Sequence, residues 1–237
     1  MIHASEFNLE QLQLTGFDKK AEIGPSRGLS WAITKYQDDF DSVPLSFPDN
    51  PAIPSDIPLV QLSGSTGRWR FEVARSRINL YRVRSSNEQL SIDDASSQLM
   101  ERFLSFMDFA QISFDRLAIV AISILKRASP SQEIARHFLR EEFLTGPVNR
   151  PETFEIHSHK KYSFDSGQVV NSWVRVRPAR VIDTDEQVIA IEQDINTPQE
   201  EQIAKTFTRQ EIEDFGLTVR QELNVILAAY FPNQGVD

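Results

Sequence analysis

The chain has 237 residues, 40% of them hydrophobic and 25% charged, and a formal net charge of −9. That length holds one large domain or two small ones with a buried core, and the acidic balance is unlike that of an ordinary basic nucleic-acid binder. The absence of cysteine excludes disulfides, thiolate zinc sites and a cysteine nucleophile, and it fits a reducing compartment, so the cytoplasm is the expected location.

Membrane insertion is not expected. The longest nearly apolar run, 117–125, falls far short of the roughly 20 residues a spanning helix needs. Residues 1–7 have neither the basic stretch nor the apolar stretch of a secretory signal.

In chain order, Phe7, Leu9 and Leu12 to Leu14 predict a short strand. Residues 29–34, Leu-Ser-Trp-Ala-Ile-Thr, alternate and predict another. Pro44, Pro48, Pro51, Pro54 and Pro58 then deny both helix and central strand, so an extended surface connector follows. Residues 1–60 therefore read as irregular N-terminal strands and a Pro-rich connector, and residues 61–237 as an α+β main domain. The connector either sets off an N-terminal arm or, the preferred reading, packs across one domain.

The main domain opens with the turn signal Gly64-Ser-Thr-Gly67. Trp69, Phe71 and Val73 then alternate with Arg70, Glu72 and Ala74, and a second strand over 78–83 predicts an antiparallel hairpin. Ser91 with Asp93 and Asp94 opens a helix whose stripe is Leu99, Phe103, Phe106 and Met107. Residues 117–125 predict a strand buried on both faces, and Ser129-Pro-Ser-Gln132 starts a helix running to about Leu144. Strands follow over 153–164, 169–182 and 188–195. Thr208 and Glu211 have the spacing of a capping box, and the stripe Ile212, Phe215, Val219, Leu223, Ile226, Leu227 and Tyr230 marks one long helix ended by Pro232. The expected fold class is α+β: a mostly antiparallel sheet with about three helices packed on it and a long C-terminal helix. The two halves look loosely alike, without residue-level similarity.

Three phrases, RWRFEVARSRINLYRV, ISFDRLAIVAISIL and VIAIEQDINTPQEE with the closing ELNVILAAYF, resemble a family of uncharacterised, sporadically distributed bacterial proteins. The resemblance covers roughly residues 60–231. Members usually carry a histidine in the last helix, and 217–231 here has none. The family's motifs are structural and imply no activity or cofactor; its patchy distribution implies a mobile-element or phage-defence neighbourhood.

Charge is distributed unevenly. Residues 68–84 hold six arginines against Glu72, while 183–215 hold ten acids against Lys205 and Arg209. Arg68, Arg70, Arg75, Arg77, Arg82 and Arg84, with Arg175 and Arg177 on a later strand, form the candidate anion- or nucleic-acid-binding set, provided the two segments adjoin. The bland alternative is that these arginines pair with the acidic segment. Glu155, His157 and His159 fall at i, i+2 and i+4, so on a strand they project from one face and form the candidate metal set, opposed by the neighbouring Lys160 and Lys161. No nucleophile elbow, HExxH, phosphate loop or dinucleotide fingerprint occurs. The preferred functional reading is a non-enzymatic protein-interaction module without cofactors, homo-oligomeric or bound to a protein partner. The alternatives are a nucleic-acid-binding regulator and a metal-dependent hydrolase.

Overall fold

Period-2 patterning carries nine segments into one sheet. The computed structural model describes residues 2–20, 22–86, 88–182, 184–200 and 205–233. Its strands are β1 (Asn8–Phe17), β2 (Leu45–Ser46), β3 (Val60–Ser63), β4 (Trp69–Val73), β5 (Arg77–Val83), β6 (Arg116–Lys126), β7 (Ile156–Ser163), β8 (Val169–Arg180) and β9 (Gln187–Asn196). They lie in the order β2-β3-β4-β5-β1-β6-β9-β8-β7, every neighbouring pair antiparallel. The fold is thus α+β with a large antiparallel sheet. None of the helices is long and apolar enough to cross a membrane among the described residues.

Five α-helices, rather than about three, accompany the sheet among the described residues: α1 (Pro25–Lys35), α2 (Ile92–Ala110), α3 (Pro130–Phe138), α4 (Glu141–Leu144) and α5 (Arg209–Tyr230). The segment expected as a strand over 29–34 lies within α1. Pro25 occupies its first turn, where a missing amide costs nothing. Gly28, Trp31 and Ala32 then form a buried i, i+3, i+4 stripe, while Ile33 is 58% exposed. The apparent alternation had counted an outward isoleucine as core. Trp31 packs 5.0 Å from Phe71 and 5.4 Å from Phe106, and its indole N–H donates to Ser105 Oγ at 3.2 Å. The helix expected from 129 to about 144 is two pieces, because Leu139 is extended.

β1, from the irregular N-terminal stretch, is the central strand. It pairs with β5 on one side and β6 on the other. Leu12 and Leu14 point into the core with Ile119 of β6, and Gly16 passes under the Phe114 ring, where a Cβ would meet ring carbons at 2.6 Å. A side chain at residue 16 would have to displace a fully buried phenyl ring.

The order divides into two similar halves. β1, α1, the meander β3-β4-β5 and α2 are followed by β6, α3 and α4, the meander β7-β8-β9 and α5. The halves meet through β1 and β6, and through α2 and α5. Arg209 pairs with Asp108 while Arg220 lies 3.3 Å from Asp93, so the two long helices run antiparallel. The capping box of α5 forms: Glu211 N–H donates to Thr208 Oγ1 at 3.3 Å, and the Glu211 carboxylate accepts from Thr208 N–H at 2.8 Å.

Candidate nucleic-acid interface

Strand parity assigns each side chain to one of two faces. Phe71, Leu80, Leu12, Leu14, Ile119, Ile191 and Val174 share a core with α1, α2, α3 and α5. Among the described residues no helix packs on the opposite face. That uncovered face carries Arg70 and Glu72 from β4, Arg77, Asn79 and Tyr81 from β5, and Gln13, Thr15 and Phe17 from β1. Arg116 and Lys126 come from β6, and Glu192, Asp194 and Asn196 from β9. Asn171, Trp173, Arg175 and Arg177 come from β8, and His157, His159 and Lys161 from β7.

The arginines of the 68–84 hairpin scatter. Arg68 is half exposed, 4.0 Å from Glu88. Arg70 lies on the uncovered face, its guanidinium 3.8 Å from the Tyr81 ring centre and its Nε 3.4 Å from Glu72. Arg75, in the β4–β5 turn, reaches Asp49 at 3.7 Å and donates to the Ile53 carbonyl. Arg77 is half-buried opposite Phe17. Arg84 pairs with Glu10 at 2.8 Å. Arg82 sits on the helix side with its side chain 3% exposed; it pairs with Glu88, donates to Gln98 Oε1 at 2.8 Å and faces the Trp69 ring. The hairpin is therefore not one basic face. Nor does it adjoin Arg175 and Arg177, because β1, β6 and β9 lie between β5 and β8.

What gathers instead is the β8–β7 side. His159 stacks on Trp173 with ring centres 3.9 Å apart and planes 11° apart, and Trp173 remains 37% exposed. Arg175 and Arg177 flank Trp173 on the same strand face and both approach Glu192 of β9. Lys161 lies on the adjoining strand, two residues from His159 and exposed. Asp194 sits opposite Trp173 and accepts from Asn196 at 2.9 Å. Burial pushes its carboxyl above the usual range against the opposing bond from Asn196 and charge of Arg175. On the β5 side, burial and the charge of Glu72 push the Tyr81 phenol up to about 12. Strand parity over 169–177 sets Trp173 on the same face as the two arginines. Asp194 had no such signal, since its partial burial comes from cross-strand neighbours.

Among the described residues, the strand positions of this face carry seven cations, Arg70, Arg77, Arg116, Lys126, Lys161, Arg175 and Arg177, against Glu72, Glu192 and Asp194, with Lys126 also paired to Glu186 at 2.7 Å. The long helices on the other side carry eight acids against Arg102, Arg209 and Arg220. The molecule is polarised through its thickness.

Of the metal candidates, Glu155 and His157 pair with each other, and His157 and His159 share one strand face. Glu155 precedes β7 and takes the His157 Nε2 at 3.1 Å, while His159 is engaged by Trp173. No group of three or more His, Cys, Asp or Glu able to hold a metal ion occurs among the described residues.

No family model matches the chain, and no curated protein matches it. A solved structure, the crystal structure of the di-domain ARO/CYC StfQ from the steffimycin biosynthetic pathway, aligns at 10% identity over 93% of this chain and 97% of that one, with a TM-score of 0.21. An overlay at that TM-score carries no argument about this chain.

Proposed function

We propose that this protein is a binding module that holds single-stranded nucleic acid across the uncovered face of its sheet, on the β8–β7 side. The observation that carries the reading is a stacking platform beside cations on an open face of an otherwise acidic chain: Trp173 and His159 with Arg175, Arg177 and Lys161. A base stacked on an aromatic ring contributes about 1–3 kcal/mol whatever its identity, and nearby cations track the phosphates. Phosphates would compete with Glu192 for the two guanidiniums, whose planar fork suits them. The amides of Asn171 and Asn196, adjacent in register, offer donors and acceptors to exposed base edges. The reading assigns recognition and no chemical step, and it places the protein in the cytoplasm on the strength of its cysteine-free composition.

Fluorescence anisotropy with a labelled single-stranded DNA or RNA oligonucleotide tests it, at salt concentrations of about 50 and 200 mM. Binding that weakens steeply with salt is expected. Trp173→Ala should cost about 1–3 kcal/mol and Arg177→Glu should flatten the salt dependence. No binding at the lower salt, or binding indifferent to both substitutions, overturns the reading.

A protein partner or a second copy is the second reading, favoured by β7. That strand is an edge of the sheet, pairs only with β8 among the described strands, and leaves most of its residues exposed. An acidic extended segment could add to it beside Lys160 and Lys161. Light scattering giving the mass of a single chain, together with a null pull-down by an acidic β-forming peptide, would remove this reading.

A further inference from the structure

On the other side of the sheet, α2 and α5 leave a cleft of about 280 Å³ over the central strands β1 and β6. Its floor is Leu12, Leu14 and Ile119, and Leu217, 49% exposed, stands at its mouth. We infer that this cleft binds a small, uncharged, apolar molecule carrying a single hydroxyl or carbonyl group. Three observations carry this. The volume lies just below the roughly 300–1,000 Å³ of ordinary ligand pockets, which excludes a docked helix or strand and suits a compact molecule. The ionic groups of the lining are already matched: Arg220 with Asp93, Glu213 with Arg209 and Glu101 with Arg102. Nothing there calls for an ion. Ser96, by contrast, lines the cleft, and its hydroxyl oxygen is buried with no hydrogen-bond partner among the described residues, a condition a buried polar atom seldom keeps. Met100 also lines the cleft, its flexible thioether lying against Gly216 across the helix pair; a Cβ at residue 216 would fall 2.1 Å from the Met100 methyl.

The test is NMR of ¹³C-methyl methionine in the full-length protein, titrated with 1-hexanol and, separately, with hexanoate and hexylammonium. Saturable displacement of the Met100 methyl signal by hexanol, with the core Met107 signal unmoved, is the expected result, and the two charged analogues should bind more weakly. Ser96→Ala should weaken hexanol by about 3- to 10-fold, the range for one neutral hydrogen bond. Gly216→Ala, which substitutes a better helix former, should keep the Met107 signal while driving Met100 into the cleft and abolishing the titration. No saturable shift at Met100, tighter binding of either ion, or equal affinity in Ser96→Ala overturns the inference.

Discussion

Arg82 and Asp194 are each a charged residue on a strand, and each is where its parity puts it. Arg82 follows Leu80 on the core side and is tolerated there because Glu88, Gln98 and the Val83 carbonyl take up its donors. A charge reversal at Arg82 would therefore unfold the β5–α2 junction and report nothing about binding; Arg177, exposed on the open face, is the informative site. Asp194 has a pH signature. Because burial raises its folded pKa above 3.8, the folded protein holds that proton more tightly than the unfolded chain. Stability from this group therefore falls as pH rises from the unfolded pKa through the folded one, and stays level above it. Asn196, Arg175, Glu192 and Arg116 face it and do not reverse the direction. Asp194→Asn should be more stable than wild type at pH 7, with the gap closing as pH falls through the raised folded pKa towards 3.8; urea unfolding at pH 7 and pH 3.5 reads it. A gap of the same size at both pH values would show that shape, not charge, is responsible. The same substitution removes a carboxylate from the open face and should strengthen oligonucleotide binding.

At the scale of elements, local chemistry made most of the fold legible. The Ser91 and Thr208 caps, the 3.6-residue stripes and the alternation of the long strands all sit within about ten residues of chain, and α2, β4 to β9 and α5 follow them. Two kinds of feature lay beyond reach. In α1 the Pro25 start and the Gly28, Trp31, Ala32 stripe competed with a false alternation through Ile33, and only packing against Phe71 and Phe106 decides between them. Strand order depends on pairing across 60 (Phe17 to Arg77) to 116 (Asn8 to Ile124) residues, so nothing in 8–17 marks it as central, and nothing in the arginine segments shows that three strands part them. Arg175 and Arg177 were legible as candidates on one strand, and Trp173 shares their parity; its stacking partner His159 was instead read toward metal. The α5 cap offers a test at this scale. The bond from Thr208 N–H, then that from Lys205, holds the Glu211 carboxyl below its ordinary value, so its contribution is present above pH 4.5 and is lost as pH falls through the lower folded pKa. Glu211→Ala should be less stable than wild type at pH 7 and converge on it in acid, whereas Thr208→Ala should cost about 0.5–2 kcal/mol with the hydroxyl's bond lost at either pH. Thermal unfolding at pH 7 and pH 3 separates the two; a Glu211→Ala deficit that persists unchanged in acid would assign the effect to helix propensity.

For the whole molecule, the question is whether two similar halves behave as one. Neither half encloses its own core. The β1–β6 ladder runs from Asn8 opposite Ile124 to Phe17 opposite Arg116, and Leu12 and Leu14 bury themselves beside Ile119 across that seam. Above it, Met100 rests on Gly216, and the pairs Arg209–Asp108 and Arg220–Asp93 bridge α2 and α5. Separating the halves would expose apolar area to water and exchange the β1–β6 ladder bonds for bonds to water, losses that oppose any stable half-folded species. Unfolding should therefore be a single transition. The three tryptophans make this measurable, since Trp31 and Trp69 lie in the first half and Trp173 in the second. In a protein retaining only Trp173, and in another retaining only Trp31, with phenylalanine at the other two positions, the fluorescence midpoint in urea should coincide with the far-ultraviolet circular dichroism midpoint of the same variant. Comparison within each variant removes the differing cost of each replacement. A fluorescence midpoint that departs from the dichroism midpoint in either protein would mean that one half melts alone and that the β1–β6 seam is weaker than its long ladder and shared core require.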